Sequence, residues 1–163
     1  MKITKKWLKN KNACIEGVDW IKAQQETDGL KIVKKLMKEN KLDWANWLIV
    51  RVMGYNLYVA YAIFAAEQVI KIYEDKYPNN KRPRKAIEAA KKCLKSNTKK
   101  NIAAAAAAAA AAYAYANDAA YTAAYAAYAA YADADAYADA DKKTMRLKIL
   151  KYGIKLLENE KTN

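Results

Sequence analysis

The chain has 163 residues, with 30 lysines and arginines against 17 aspartates and glutamates, a net charge of +13, and no histidine. That length suits one domain, and the lack of histidine removes the commonest general base together with the Ser-His-Asp and Cys-His nucleophile arrangements. Cys14 and Cys93 stand far apart without a CxxC spacing, so neither a disulfide framework nor a Cys/His zinc site is expected.

Apolar residues recur at three and four positions along the chain, the period of amphipathic helices. The start, MKITKKWLKNKN, is charged and has no apolar h-region, so a cytoplasmic protein is expected. Trp7, Leu8, Ala13, Ile15, Val18 and Ile21 support one or two short helices. Asp28 can cap a third, whose stripe is Leu30, Val33, Leu36 and Met37. Leu42 to Met53 is nearly continuous in bulky side chains, including Trp44 and Trp47, which predicts a helix buried on more than one face at the centre of a bundle. Another helix should run from about Leu57 to Tyr77 and stop at Pro78. Pro83 then occupies a first-turn position for a helix carrying Ile87, Ala90 and Leu94.

Residues 102–141 are low in complexity: ten alanines from Ala103 to Ala112, then tyrosines and aspartates at short spacing. The text YADADAYADAD alternates like a strand, but alanine is the best helix former and both residue types are depleted in strands, so a helix is predicted. At ~100° per residue, Tyr113, Tyr121, Tyr125, Tyr128 and Tyr131 fall on one stripe, with Asn117, Asp135 and Asp139 in the same angular range. Two readings follow from that coincidence. The stripe packs against a neighbouring helix, its aspartates meeting phenols, Arg51, Arg84 or lysines, or it is an exposed acidic and aromatic strip that binds a basic partner. The aspartates lack the glycine and terminal glutamate of an EF-hand loop, so no metal site is expected, and neither phosphate-binding glycine motif occurs. Ile102 to Ala116 is too short to span a bilayer. A final basic helix is predicted from about Lys142 to Asn159, weakened at Gly153.

Charge is unevenly distributed: residues 101–141 hold five aspartates and no basic side chain, between two basic flanks. Lysine dominates, only Arg51, Arg82, Arg84 and Arg146 being arginine. A solvated surface explains this composition, and a phosphate-binding surface along Lys31, Lys34, Lys35 and Lys38, or along Lys81, Arg82, Arg84 and Lys85, is the alternative.

The stretches LDWANWLIVRVM (42–53), YAIFAAEQVIKIYEDKYP (61–78), RPRKAIEAAKKCL (82–94) and LKILKYGIKLLE (147–158), with the alanine tract between the last two, make the chain resemble the immunity-five-like family of bacterial and phage immunity proteins. The resemblance implies neutralisation of a toxic or defensive effector by binding it. It transfers no functional residue. Asp43, Trp44, Trp47, Arg51, Glu67, Arg82, Arg84 and Glu88 are its distinctive polar and aromatic positions.

The expected architecture is therefore all-α: a single domain over 1–163, with basic helices in 1–100, an Ala/Tyr/Asp-rich helical segment in 101–141 packed against a tryptophan-bearing helix, and a basic helix in 142–163. The expected function is non-enzymatic binding of a protein partner, a toxin or, for a phage protein, a host defence protein such as a CRISPR effector. Nucleic-acid binding and a small-molecule sponge are the alternatives. No cofactor, metal or membrane is called for, and the oligomeric state is left open. Candidate partner-binding residues are Arg51, Arg82, Arg84, Tyr121, Tyr128, Asp135 and Asp139.

Overall fold

A computed structural model describes residues 1–76, 78–79, 81–96, 98 and 139–162. Among them are seven helices: α1 (Lys5–Asn10), α2 (Ile15–Ala23), α3 (Gly29–Lys38), α4 (Leu42–Val52), α5 (Tyr55–Lys76), α6 (Arg82–Lys95) and α7 (Asp139–Thr162). The described residues form no strand, only an isolated antiparallel bridge between Lys2 and Asp28. The fold class is all-α, as the three- and four-residue periodicity predicts. The Ala/Tyr segment and its packing lie outside the described residues.

The chain divides into two compact units, residues 1–53 with 153–163, and residues 54–152. In the first, α3 packs along α4. Its core holds Ile3, Leu8, Ile32, Val33, Leu36, Leu42, Ala45, Leu48, Ile49 and Leu157. Gly29, at the start of α3, is buried, and a methyl group there would stand 3.1 Å from Val52 Cγ1, so even alanine needs a neighbour to shift.

Three of the four N-terminal helices are closed by left-handed residues without glycine. Asn12, Gln25 and Asn40 follow α1, α2 and α3 with φ of 54°, 52° and 58°. After α1 the Ala13 amide donates to Leu8 O (3.0 Å), and after α3 the Lys41 amide donates to Leu36 O (2.9 Å). These are the six-to-one bonds of a Schellman ending. Asparagine suits the position because its short amide tolerates the left-handed region, which explains sharp stops in a sequence with so little glycine.

Asp28 is the N-cap of α3, as its place before the apolar stripe predicts, and its carboxylate accepts from the Lys31 amide (3.0 Å). The other oxygen accepts from Lys161 Nζ at 3.2 Å, and Lys34 meets Glu158 at 2.6 Å, so two ion pairs fasten the end of α7 to α3. On α4 the buried positions Leu42, Ala45, Asn46, Leu48 and Ile49 cover an arc of about 160° at ~100° per residue, with the half-buried Trp44 about 40° beyond its edge and the half-buried Trp47 on the opposite side, so the helix is covered on more than one face but fully buried on one.

In the second unit α5 packs along α6, and Val59, Ile63, Ala66, Ile70 and Ile87 form a buried cluster flanked by Tyr58 and Ala90. Phe64 of α5 stacks on Tyr152 of α7, with centroids 4.0 Å apart and planes 15° from parallel. α6 opens with proline in its first turn and ends at Ser96, close to the predicted limits.

Asp28 supports α3 twice, through its cap and through Lys161. Asp28→Ala should lower stability by about 0.5–2 kcal/mol in urea unfolding at neutral pH, and Asp28→Asn, which keeps a capping oxygen, by less. The Lys31 amide and then Lys161 hold the Asp28 carboxyl below its ordinary value of 3.8. Its contribution is thus complete above that value and is lost as pH falls through the lowered one. An acid titration of Asp28→Asn should show a shallower loss of stability below pH 3.8 than the parent.

Candidate partner-binding site

The four tryptophans belong to the first unit, each half-buried and each in an edge-on pair. Trp7 of α1 meets Trp47 of α4 with centroids 6.3 Å apart and planes at 87°. Trp20 of α2 meets Trp44 of α4 at 6.5 Å and 66°. Edge-to-face contact sets a positive ring rim against a negative ring face, and each pair contributes about 0.5–1.5 kcal/mol beyond area burial. A cation completes both. The Arg51 guanidinium lies 4.1 Å from the Trp47 ring centroid, and Lys41 Nζ lies 5.0 Å from that of Trp44. Arg51 also donates to Trp47 O at 2.9 Å, one helical turn back, and Trp20 Nε1 donates to Glu39 at 2.8 Å. Arg51 is therefore half-buried and ordered by its own helix.

Arg82 and Arg84 lie in the second unit, at the start of α6. Arg82 is exposed. Arg84 is clamped: its Nε donates to Glu74 Oε1 at 2.8 Å and its second amino group to Glu74 Oε2 at 2.5 Å, the parallel fork that a guanidinium forms with a carboxylate. Arg84 holds the Glu74 carboxyl below its ordinary value, and Glu74, with Glu88 and Glu67 nearby, raises the guanidinium pKa further. Glu67 forms an ion pair with Lys91. The acidic side chains Glu67 and Glu74 of α5 are thus matched to Lys91 and Arg84 on one flank of α6.

Of the other candidates, Asp139 lies at the first residue of α7, and Tyr121, Tyr128 and Asp135 lie outside the described residues. The structure places Arg51 in one unit and Arg82 and Arg84 in the other. Glu74, Glu39 and Lys41 are contact partners of Arg84, Trp20 and Trp44 that sequence reading missed. Glu74 and Arg84 are ten residues apart across a turn, and only the antiparallel return of α6 along α5 brings them together. No group of three or more cysteines, aspartates or glutamates able to hold a metal is found among the described residues, and no described helix is long and apolar enough to cross a membrane.

Helices joined by paired aromatic rings and ion pairs define an all-helical protein. The family model for the Imm-5 like putative immunity protein matches residues 55–163, and the chain belongs to that family. The match takes in α5, α6 and α7, while the stretch 42–53 lies outside it. No curated protein and no solved structure matches the chain.

Two measurements separate structural from contact roles here. Arg51→Ala should cost about 0.5–1 kcal/mol of stability through the lost cation–π contact and change the tryptophan emission spectrum. Because Arg84 holds Glu74 below its ordinary value of 4.5, the fork stabilises the protein above that pH and fails as pH falls through the lowered value. Glu74→Gln should therefore be less stable than the parent at pH 7 and converge with it in acid, as read by thermal melts across the range.

Proposed function

We propose that this protein is a non-enzymatic inhibitor that binds an effector protein and covers its working surface. Membership of an immunity-protein family carries the reading, since the role that name describes is neutralisation by binding. The chemistry of the chain agrees with it. The chain has no histidine for proton transfer, and its distinctive side chains include tryptophans, tyrosines and guanidinium groups, the groups enriched at contact surfaces. The effector is a toxin when the chain is bacterial and a host defence protein, such as a CRISPR effector, when it is phage-encoded.

The lysine-rich alternative, nucleic-acid binding, is less well supported. Lys31 pairs with Glu26, Lys34 with Glu158 and Arg84 with Glu74, so each of the two basic runs has members already matched by carboxylates. A phosphate backbone would have to displace those partners, and its own binding weakens as salt rises.

The test is affinity purification of the tagged chain from its natural host after mild crosslinking. One protein recovered at one-to-one stoichiometry, and toxic to cells only when this chain is absent, is the expected result. Recovery of nuclease-sensitive nucleic acid without a stoichiometric protein would overturn the proposal.

A further inference from the structure

α2 is the least anchored helix of the first unit. Leu8 of α1 and Gly29 of α3 are buried, but no residue from 9 to 28 is, whereas α3 and α4 bury five residues each. α2 has nine residues, a length at which a helix is marginal in water without tertiary support. Trp20 joins it to its neighbours: the ring meets Trp44 edge-on at 6.5 Å, and Nε1 donates to Glu39, the C-cap of α3, at 2.8 Å. Val18 and Ile21 are half-buried, while Ile15 at the first position is 77% exposed. Lys22 with Asp19, and the Gly17 amide with Cys14 Sγ, bond within the helix and its cap. Each flank carries a non-glycine residue in the left-handed region, Asn12 with φ 54° and Gln25 with φ 52°. Such a backbone persists only while its surroundings hold it, and glutamine lacks the short amide that makes asparagine tolerant of it.

We propose that α2 is a hinged flap: residues 13–24 lift as one piece about Asn12 and Gln25 while α3 and α4 stay folded, and the Trp20 contacts with Trp44 and Glu39 are its latch. Burial sets the energetics. Opening breaks the Trp20–Trp44 ring contact and the bond to Glu39, and it withdraws no fully buried residue of α2 from the core. Opening α3 or α4 would instead expose Ile32, Val33, Leu36, Leu48 and Ile49, so the flap opens at a much lower free energy than the rest of the unit. The flap covers the Trp44 ring, which also meets the Lys41 ammonium at 5.0 Å. Its open state therefore presents a ring and a cation that the closed state holds against Trp20. The motion belongs to this unit alone and does not depend on the inhibitor role.

Amide hydrogen exchange of the full chain, read by NMR across a series of sub-denaturing urea concentrations, tests the flap. The amides of Val18 to Ala23 should be at least about tenfold less protected than the core amides of α3 and α4. Their exchange should barely respond to urea, because opening exposes little surface, while exchange in α3 and α4 should climb steeply. Trp20→Phe, which keeps a ring and removes the donor, should speed α2 exchange about fivefold and leave α3 and α4 within about twofold of the parent. Glu39→Ala, which removes the acceptor, should do the same, and it stands in for Trp20→Phe if that variant folds poorly. An α2 urea slope equal to that of α3 and α4 would overturn the flap, since the helix would then open only with its whole unit. Parent-rate exchange of α2 in the variants would overturn the latch, and equal acceleration of α2, α3 and α4 would overturn both.

Discussion

Ile87 is 8% exposed because α6 lies along α5, where Val59, Ile63, Ala66 and Ile70 supply the surface that covers it. Burying an isoleucine of this kind contributes about 1.5–3 kcal/mol, and α6, with its many charged residues, has few others to offer. Almost everything else about the second unit follows from that one seam. With Ile87 and Cys93 turned inward, rotation of α6 is fixed. Arg84 and Lys91 then fall on the flank that meets Glu74 and Glu67, and the remaining lysines point to solvent. The apolar contact decides the rotation, and the ion pairs select it against alternatives.

The first unit solves a similar problem with different chemistry. Its helices are short, ten residues or so in α3 and fewer in α1 and α2, and helices of that length are marginal without tertiary support. Support comes from the α3–α4 seam, from capping at Asp28, and from the tryptophan pairs that link α1 and α2 to α4. α2 has no fully buried residue, so the Trp20 contacts with Trp44 and Glu39 account for much of its attachment. Trp44 and Trp47 stay half-buried because each meets both a neighbouring ring and a cation, an arrangement that a sealed core would leave without solvation for the charge.

Membership of the family and the character of the exposed groups point the same way. The proposed inhibitor role calls for a preformed surface, and rigid helices would meet that need at low ordering cost. The carboxylates Glu67 and Glu74 of α5 are engaged in pairs with Lys91 and Arg84 of α6.

Local sequence determined the helices, because a period of three to four, caps such as Asp28 and the proline opening α6 act within a turn or two of the backbone. It also carried the family, since the stretches from 61 onward are specific enough to be matched. What it could not hold was the assignment of partners. Arg84 read as a binding candidate until α6 folded back onto Glu74, and Trp44 and Trp47 read as core until the Leu42–Ile49 face of α4 took the interior. Which cation is engaged and which faces water depends on the rotation of one helix against another, and that rotation is set by side-chain packing between segments far apart in the chain.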